Sequence, residues 1–114
     1  MEVTLVEKPI SRQQLKDAAE ELFGDMVKAV VDVEKEIMAI GGELHADEEA
    51  FLLERDSQQD NLWGINLYPE RDLPEMVEFD SMINIRPRQN NRSRGVEAAT
   101  VREKIISITR RLVQ

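Results

Sequence analysis

The segment from residue 26 to residue 40 limits the possible folds more than any other part of the sequence. Two runs rich in β-branched and apolar residues, 26–33 and 37–40, are separated only by Glu34, Lys35 and Glu36. Runs of this kind are typical of strands, and so short a polar gap leaves room only for a tight turn. The segment therefore predicts an antiparallel hairpin, and Gly41-Gly42 ends or bends its second strand.

Two helices are predicted from caps and apolar spacing. Ser11 and Gln14 form a capping-box pattern, the flanking Ile10 and Leu15 fit a hydrophobic staple, and Gly24 supplies a stop. A second helix is predicted over residues 97–113. Its apolar stripe consists of Val101, Ile105, Ile108 and Leu112.

A third helix is predicted over residues 46–55, which contain good helix formers and begin with acidic residues. The run Phe51-Leu52-Leu53 within it also fits a strand, so both assignments stay open. Further strands are predicted at 3–6, at 62–68 and at 76–86, the last two from alternating apolar residues. Gly64, inside one of these strands, indicates a bulge or a close approach of another group.

These elements predict a single α+β domain over residues 1–114. Their order, β-α-β-β-(α)-β-β-α, favours a mostly antiparallel sheet of about five strands with two or three helices. The chain has 114 residues, of which 41% are hydrophobic. A chain of this length and composition is suited to one core.

Composition narrows the classes of function. The sequence contains no cysteine. Disulfides, thiolate metal ligands and a cysteine nucleophile are therefore excluded. The chain has no apolar run near the roughly 20 residues of a membrane helix and no signal-peptide pattern at its start. We expect a soluble, cytoplasmic protein that does not enter a membrane.

Charge is distributed unevenly. Residues 1–83 carry 7 Lys/Arg against 21 Asp/Glu, and residues 84–114 carry 8 Lys/Arg against 2 Glu, within a net charge of −8. Much of the positive charge lies in the segment 84–94, which we call the arginine loop. Guanidiniums bind phosphate or carboxylate oxygens in a forked geometry, and a helix that follows adds N-terminal amides. The loop is therefore a candidate anion site, although pairing with the acidic remainder of the chain would explain it equally well.

The predicted ligand-binding residues come mainly from the arginine loop. Three further residues, His45, Asn66 and Asp80, are expected nearby. From the loop itself the predicted residues are Asn84, Arg86, Arg88, Asn91, Arg92 and Arg94. Nucleic acid is not expected as a partner, because the chain has few aromatic residues and a pI near 4.7. Phosphate backbones attract basic surfaces, and single strands need aromatic side chains for stacking.

His45 is the only histidine, so any histidine-dependent chemistry must use it. With Glu43, Asp47 or Asp80 it would form a general base or part of a metal site, which would suit a small metal-dependent hydrolase. A histidine beside acidic residues is also a common surface feature. Glu78 and Asp80 likewise fit either a site or the polar face of an exposed strand.

Four blocks of the sequence, 23–33, 37–47, 61–69 and 79–87, resemble a family of small prokaryotic proteins catalogued as a domain of unknown function. The resemblance covers nearly the whole chain and implies a stand-alone domain, with no activity, cofactor or functional residue to transfer. The leading hypothesis is therefore a non-enzymatic domain that binds a small anionic ligand or a protein partner. The alternatives are the hydrolase and a structural protein that self-associates through an edge strand.

Overall fold

The computed structural model describes residues 2–114 and contains three helices and one five-stranded sheet. The strands are β1 (Thr4–Val6), β2 (Val27–Asp32), β3 (Ile37–Ile40), β4 (Leu62–Leu67) and β5 (Val77–Glu78). The helices are α1 (Arg12–Leu22), α2 (His45–Leu53) and α3 (Ala99–Leu112). The strand order is β1-β3-β2-β4-β5 and every pair is antiparallel. The predicted α+β class is confirmed.

The predicted hairpin forms the centre of the sheet. Asp32 pairs with Ile37 at its closed end. The carboxylate of Asp32 accepts the N–H groups of Glu34 and Lys35 at 2.9 Å each and the hydroxyl of Ser57 at 2.7 Å. Asp32 is only 1% exposed. The three bonds satisfy it and hold the turn in place.

Helices α1 and α3 cover one face of the sheet. The capping box of α1 is confirmed, because Ser11 Oγ accepts the Gln14 N–H at 3.1 Å and Gln14 Oε1 accepts the Ser11 N–H at 2.8 Å. The larger core lies under these helices. It includes Leu15 and Ala19 of α1, Ile105, Ile108 and Leu112 of α3, and Ala29, Met38, Ile65 and Leu67 of the sheet.

Helix α2 lies on the opposite face, and the helical assignment of this segment is confirmed. Its Leu52 packs with Val30, Ala39 and Leu62 in a smaller core. The same face continues into a row of Lys28, Asn66 and Glu78, because Lys28 pairs with Asn66 and Asn66 pairs with Glu78 across β2, β4 and β5. We call these three residues the polar row.

The prediction of one long strand over 76–86 is wrong. Only Val77–Glu78 pairs with β4, and a short 3-10 turn follows at Met82–Asn84. The side-chain amide of Asn84 takes the place of a strand beside Gly64: Asn84 Oδ1 accepts the Gly64 N–H at 2.8 Å, and Asn84 Nδ2 donates to the Gly64 carbonyl at 2.9 Å. Alternation along 76–86 would place Asn84 with the polar residues, against solvent or in a site, and Ile85 with the apolar residues of the core; instead Asn84 is fully buried and Ile85 is 39% exposed.

Gly64 is the predicted point of close approach. A Cβ at this position would lie 2.5 Å from Ser81 Cβ and Oγ. Only glycine therefore lets the segment after β5 pack against β4. Over residues 2–114, no helix has the length and apolar character needed to cross a membrane.

Candidate functional site

The two predicted asparagines of the arginine loop hold the loop together. Asn84 also donates to the Arg94 carbonyl at 2.9 Å. Asn91 donates to the carbonyls of Asn84 and Gly95 at 2.7 and 2.8 Å and accepts the Glu97 N–H at 2.8 Å. Both amides are occupied by backbone groups, which is the usual state of a buried polar side chain.

The arginines of this loop do not converge on one point. Arg86 is 7% exposed, donates to the carbonyls of Gln59 and Leu62, and stacks over Trp63 with its Cζ 4.2 Å from the ring centroid. Burial lowers its pKa from the usual arginine value. Arg88 pairs with Asp60 at 2.9 Å.

Arg94 pairs with Asp80 at 2.6 Å. Arg86 and Arg92 have no ion-pair partner within residues 2–114; Arg86 is buried against carbonyl groups and Trp63, whereas the Arg92 side chain is exposed. Carboxylates inside the chain therefore neutralise two of the four arginines of the arginine loop.

Four of the predicted residues instead line one cleft on the α2 face of the sheet: His45, Asn66, Asp80 and Arg94. Lys28 and Glu78, the two ends of the polar row, line it as well. The cleft has a volume of about 400 Å³. Clefts of this size are within the range of small-molecule sites. We call it the His45 cleft.

The polar row gives this cleft opposite charges at its two ends. Neighbouring strands are about 4.8 Å apart, so the backbones at Lys28 and Glu78 are separated by about twice that distance with Asn66 between them. In the described part of the chain the Lys28 ammonium has no hydrogen bond and no ion pair. Its Nζ lies 5.2 Å from the centroid of the Phe23 ring. Glu78 Oε1 accepts from Asn66 Nδ2 at 2.8 Å and from the Tyr68 hydroxyl at 3.1 Å.

Asn66 carries an unsatisfied acceptor. Its side chain belongs to a residue that is 5% exposed, and Asn66 Oδ1 makes no hydrogen bond within residues 2–114, although the amide is near enough to the His45 ring to raise the His45 pKa. A buried polar atom without a partner costs about 1–3 kcal/mol.

His45 begins α2 and is held by the sheet. Its Nε2 lies 2.8 Å from the Ile65 carbonyl oxygen. A carbonyl oxygen can only accept, so Nε2 carries the hydrogen. Burial lowers the His45 pKa and the Lys28 charge lowers it further, against the opposing effects of the Ile65 carbonyl, Asn66 and Asp80. The ring is therefore neutral at pH 7, and Nδ1 keeps a free lone pair.

The first turn of α2 forms one wall of the cleft. Leu44, the N-cap residue, provides no side-chain cap, and the N–H groups of His45 and Ala46 have no acceptor among the described residues. Uncapped N–H groups and the helix dipole favour a negative charge at this end of the helix.

Apolar side chains surround the polar floor. They are Met26, Leu44, Met82 and Ile83. Leu44 is 56% exposed and Met82 is 65% exposed. Large apolar residues of a folded domain are more often buried, so two exposed ones that line the same cleft indicate a surface suited to an apolar contact. The cleft therefore offers an apolar contact surface beside its charged groups.

The carboxylates proposed to act with His45 are only partly brought together. Asp80 lines the cleft with His45, whereas Glu43 and Asp47 are exposed and outside it. Within residues 2–114, no three histidine, aspartate or glutamate side chains are grouped closely enough to hold a metal ion.

Sequence reasoning missed Lys28 as a site residue. One signal for it existed, since Lys28 is the only charged residue within the apolar run 26–31 and so interrupts a buried strand. Its position opposite Asn66 depended on the register of β2 and β4, which the sequence does not specify.

The fold and the cleft together define a small α+β domain with a charged, apolar-rimmed cleft on one face of an antiparallel sheet. A protein-family profile matches residues 4–112, and the chain belongs to that family, described as Protein of unknown function (DUF5674). The predicted resemblance to a domain of unknown function is confirmed. No curated protein and no solved structure matched the chain.

Proposed function

We propose that this protein is a small-ligand-binding domain that receives the anionic group of its ligand in the His45 cleft, at Lys28. The observation that carries the proposal is Lys28, a cleft-lining residue whose ammonium has no counter-charge from residues 2–114. An ammonium without a partner has three free donors, so an anion placed beside it gains a charge-assisted bond.

The surroundings of Lys28 support this assignment. The uncapped N–H groups of His45 and Ala46 lie at the wall of the same cleft. Such groups add donors for an anion. The other cation of the cleft, Arg94, is already paired with Asp80 at 2.6 Å. The anion site is thus proposed at Lys28 rather than in the arginine loop.

An NMR titration tests the proposal. We expect acetate, phosphate and citrate at low salt to shift the backbone amide signals of Lys28, His45 and Ala46, with weaker effects at moderate salt. Lys28→Met should abolish these shifts. Lys8→Met is the matched control, because Lys8 is exposed, lies outside the cleft and has the same charge.

The result that contradicts the proposal is equally specific. Shifts that persist in Lys28→Met, or that centre on Arg92 instead, would place the anion site elsewhere.

A second candidate function is hydrolysis with His45 as general base. It is favoured by the free Nδ1 of a neutral ring, and His45 shares the cleft with Asp80. A neutral imidazole of this kind can accept a proton from a reacting group. We would measure hydrolysis of p-nitrophenyl acetate and bis-p-nitrophenyl phosphate at neutral pH for the wild type and His45→Gln. A rate above background that His45→Gln removes would favour catalysis, and equal rates would exclude it.

Self-association depends on the outer edge of β1, which ends the sheet. This edge consists of Thr4–Val6. So short a strand offers few main-chain hydrogen bonds to a second copy. A monomer in sedimentation at high concentration would exclude this hypothesis.

A further inference from the structure

The charges of the His45 cleft suit a ligand with groups of both signs better than a simple anion. Once Arg94 is paired with Asp80, Lys28 and Glu78 are left as one cation and one anion at the two ends of the polar row. A ligand with only negative charge would match Lys28 but would be repelled by Glu78. A ligand with one group of each sign matches both ends.

The anionic end of the row can take a further donor. Glu78 Oε1 accepts from Asn66 and from the Tyr68 hydroxyl, whereas Glu78 Oε2 makes no hydrogen bond within the described chain. An ammonium has three N–H donors and would bond to this free oxygen. A carboxylate has no donor to offer it.

The rim adds an apolar requirement. Leu44 and Met82 are largely exposed at the mouth of the cleft, and Met26 and Ile83 line it further. A ligand with an apolar body would cover these side chains, and burial of apolar area stabilises a complex. Methionine adapts its shape to such a body more readily than branched side chains do.

These three requirements lead to one ligand class. We propose that the His45 cleft binds a free α-amino acid with an apolar side chain. The carboxylate binds Lys28 and the first turn of α2, the ammonium binds Glu78, and the side chain lies against Leu44 and Met82. This inference rests on the proposed function, because it assigns the anionic group at Lys28 to the carboxylate.

Four probes separate the parts of this recognition in calorimetric and NMR titrations of the full chain. L-Leucine has all three features, 4-methylpentanoate lacks the ammonium, L-leucinamide lacks the carboxylate, and glycine lacks the apolar side chain. We expect L-leucine to bind at least about tenfold more tightly than each of the other three, equivalent to about 1.4 kcal/mol.

Two variants locate the contacts. Glu78→Gln should weaken the binding of L-leucine and strengthen that of 4-methylpentanoate, which the Glu78 charge repels. Met82→Gln should weaken the binding of L-leucine and leave that of glycine unchanged. Glu54→Gln is the matched control, since Glu54 is exposed at the far end of α2 and outside the cleft. Far-ultraviolet circular dichroism of each variant confirms that it is folded.

The possible failures are distinguishable from one another. If 4-methylpentanoate or glycine binds as tightly as L-leucine, the amino-acid inference is overturned and the anion site at Lys28 stands. The same conclusion follows if phosphate shifts the cleft signals and none of the four probes does. If L-leucinamide binds as tightly as L-leucine, the carboxylate is not recognised, and the inference and the proposed function both fail.

Discussion

Replacing Glu48 with glutamine should stabilise this protein at neutral pH. Glu48 is fully buried in α2, and its Oε2 accepts the Gly42 N–H at 2.9 Å. Burial raises the pKa of Glu48 to about 9, with a smaller raising effect of Asp47, against the Gly42 N–H and Lys28, which lower it. The side chain is therefore protonated in the folded protein at pH 7 and ionised in the unfolded chain.

The size of the effect follows from this difference in protonation. The pKa of Glu48 is 4.5 in the unfolded chain and about 9 in the folded protein. Folding takes up a proton between these values, so the free energy of unfolding falls with rising pH across this window. At about 1.4 kcal/mol for each pH unit, the cost at neutral pH is about 3 kcal/mol. Glutamine is neutral at every pH and keeps an oxygen acceptor for Gly42.

An unpaired amide group offsets part of the stabilisation gained by Glu48→Gln. Glu48 Oε1 has no partner within the described residues. The glutamine amide nitrogen that replaces it would be unpaired, at a cost of about 1 kcal/mol. Glu48→Gln should therefore stabilise the protein by about 2 kcal/mol at neutral pH and should lose this advantage as the pH falls towards the unfolded pKa.

Urea unfolding across the range from acidic to mildly alkaline pH measures this difference, with the dependence on urea concentration compared to check that both proteins unfold alike. Glu54→Gln is the control for charge, because Glu54 is exposed and is the C-cap residue of the same helix. If Glu48→Gln and the wild type keep the same difference in unfolding free energy at pH 5 and pH 8, the reasoning about Glu48 would be refuted.

Further predictions concern packing and the arginine loop. The Cβ of Gly64→Ala would lie 2.5 Å from Ser81, whereas that of Gly95→Ala would meet its nearest neighbour at 3.5 Å. Gly64→Ala should therefore destabilise the protein by about 1–3 kcal/mol in urea unfolding. Gly95→Ala should stay within about 0.5 kcal/mol of the wild type. Equal effects of the two substitutions would contradict this account. Arg86 stacks on Trp63 and bonds to two carbonyls. Arg86→Lys should cost about 2 kcal/mol and shift the fluorescence of the only tryptophan, because lysine neither stacks on the indole nor reaches both carbonyls. Arg92→Lys should leave stability within about 0.5 kcal/mol. A loss as large as that of Arg86→Lys would show that any arginine of the loop is costly to replace by lysine, so stacking on Trp63 would not explain the effect at Arg86.

Local signals predicted most of the fold. The capping box at Ser11, the stripe of α3 and the polar gap at residues 34–36 each depend on neighbours in sequence, and all three are confirmed. The segment after β5 could not be predicted in this way. Asn84 alternates like an outward strand residue, but its amide bonds to Gly64, which lies 20 positions earlier in the sequence.

For the candidate site too, residue types could be read from the sequence, whereas contacts between distant segments could not. The polar character of His45, Asn66, Asp80 and Arg94 is evident from the sequence, and all four line the cleft. Their meeting point was assigned to the arginine loop, because the pairing of Arg88 with Asp60 and the stacking of Arg86 are contacts between distant segments. An excess of positive charge in a segment therefore identifies its cations but does not show which of them lack a carboxylate partner in the folded protein.

The amides of Asn84 and Asn91 have a consequence for protease digestion. The arginine loop contains no helix or strand longer than the 3-10 turn at Pro87–Gln89 and the single bridge between Arg86 and Asn91. It includes Arg88, Arg92 and Arg94, each a cleavage site for trypsin. A protease needs an extended stretch of backbone, and here Asn84 ties the loop to β4 while Asn91 closes it on Gly95. Cleavage in this loop then requires the opening of the sheet edge itself, so its rate should follow the global unfolding equilibrium rather than local fluctuation.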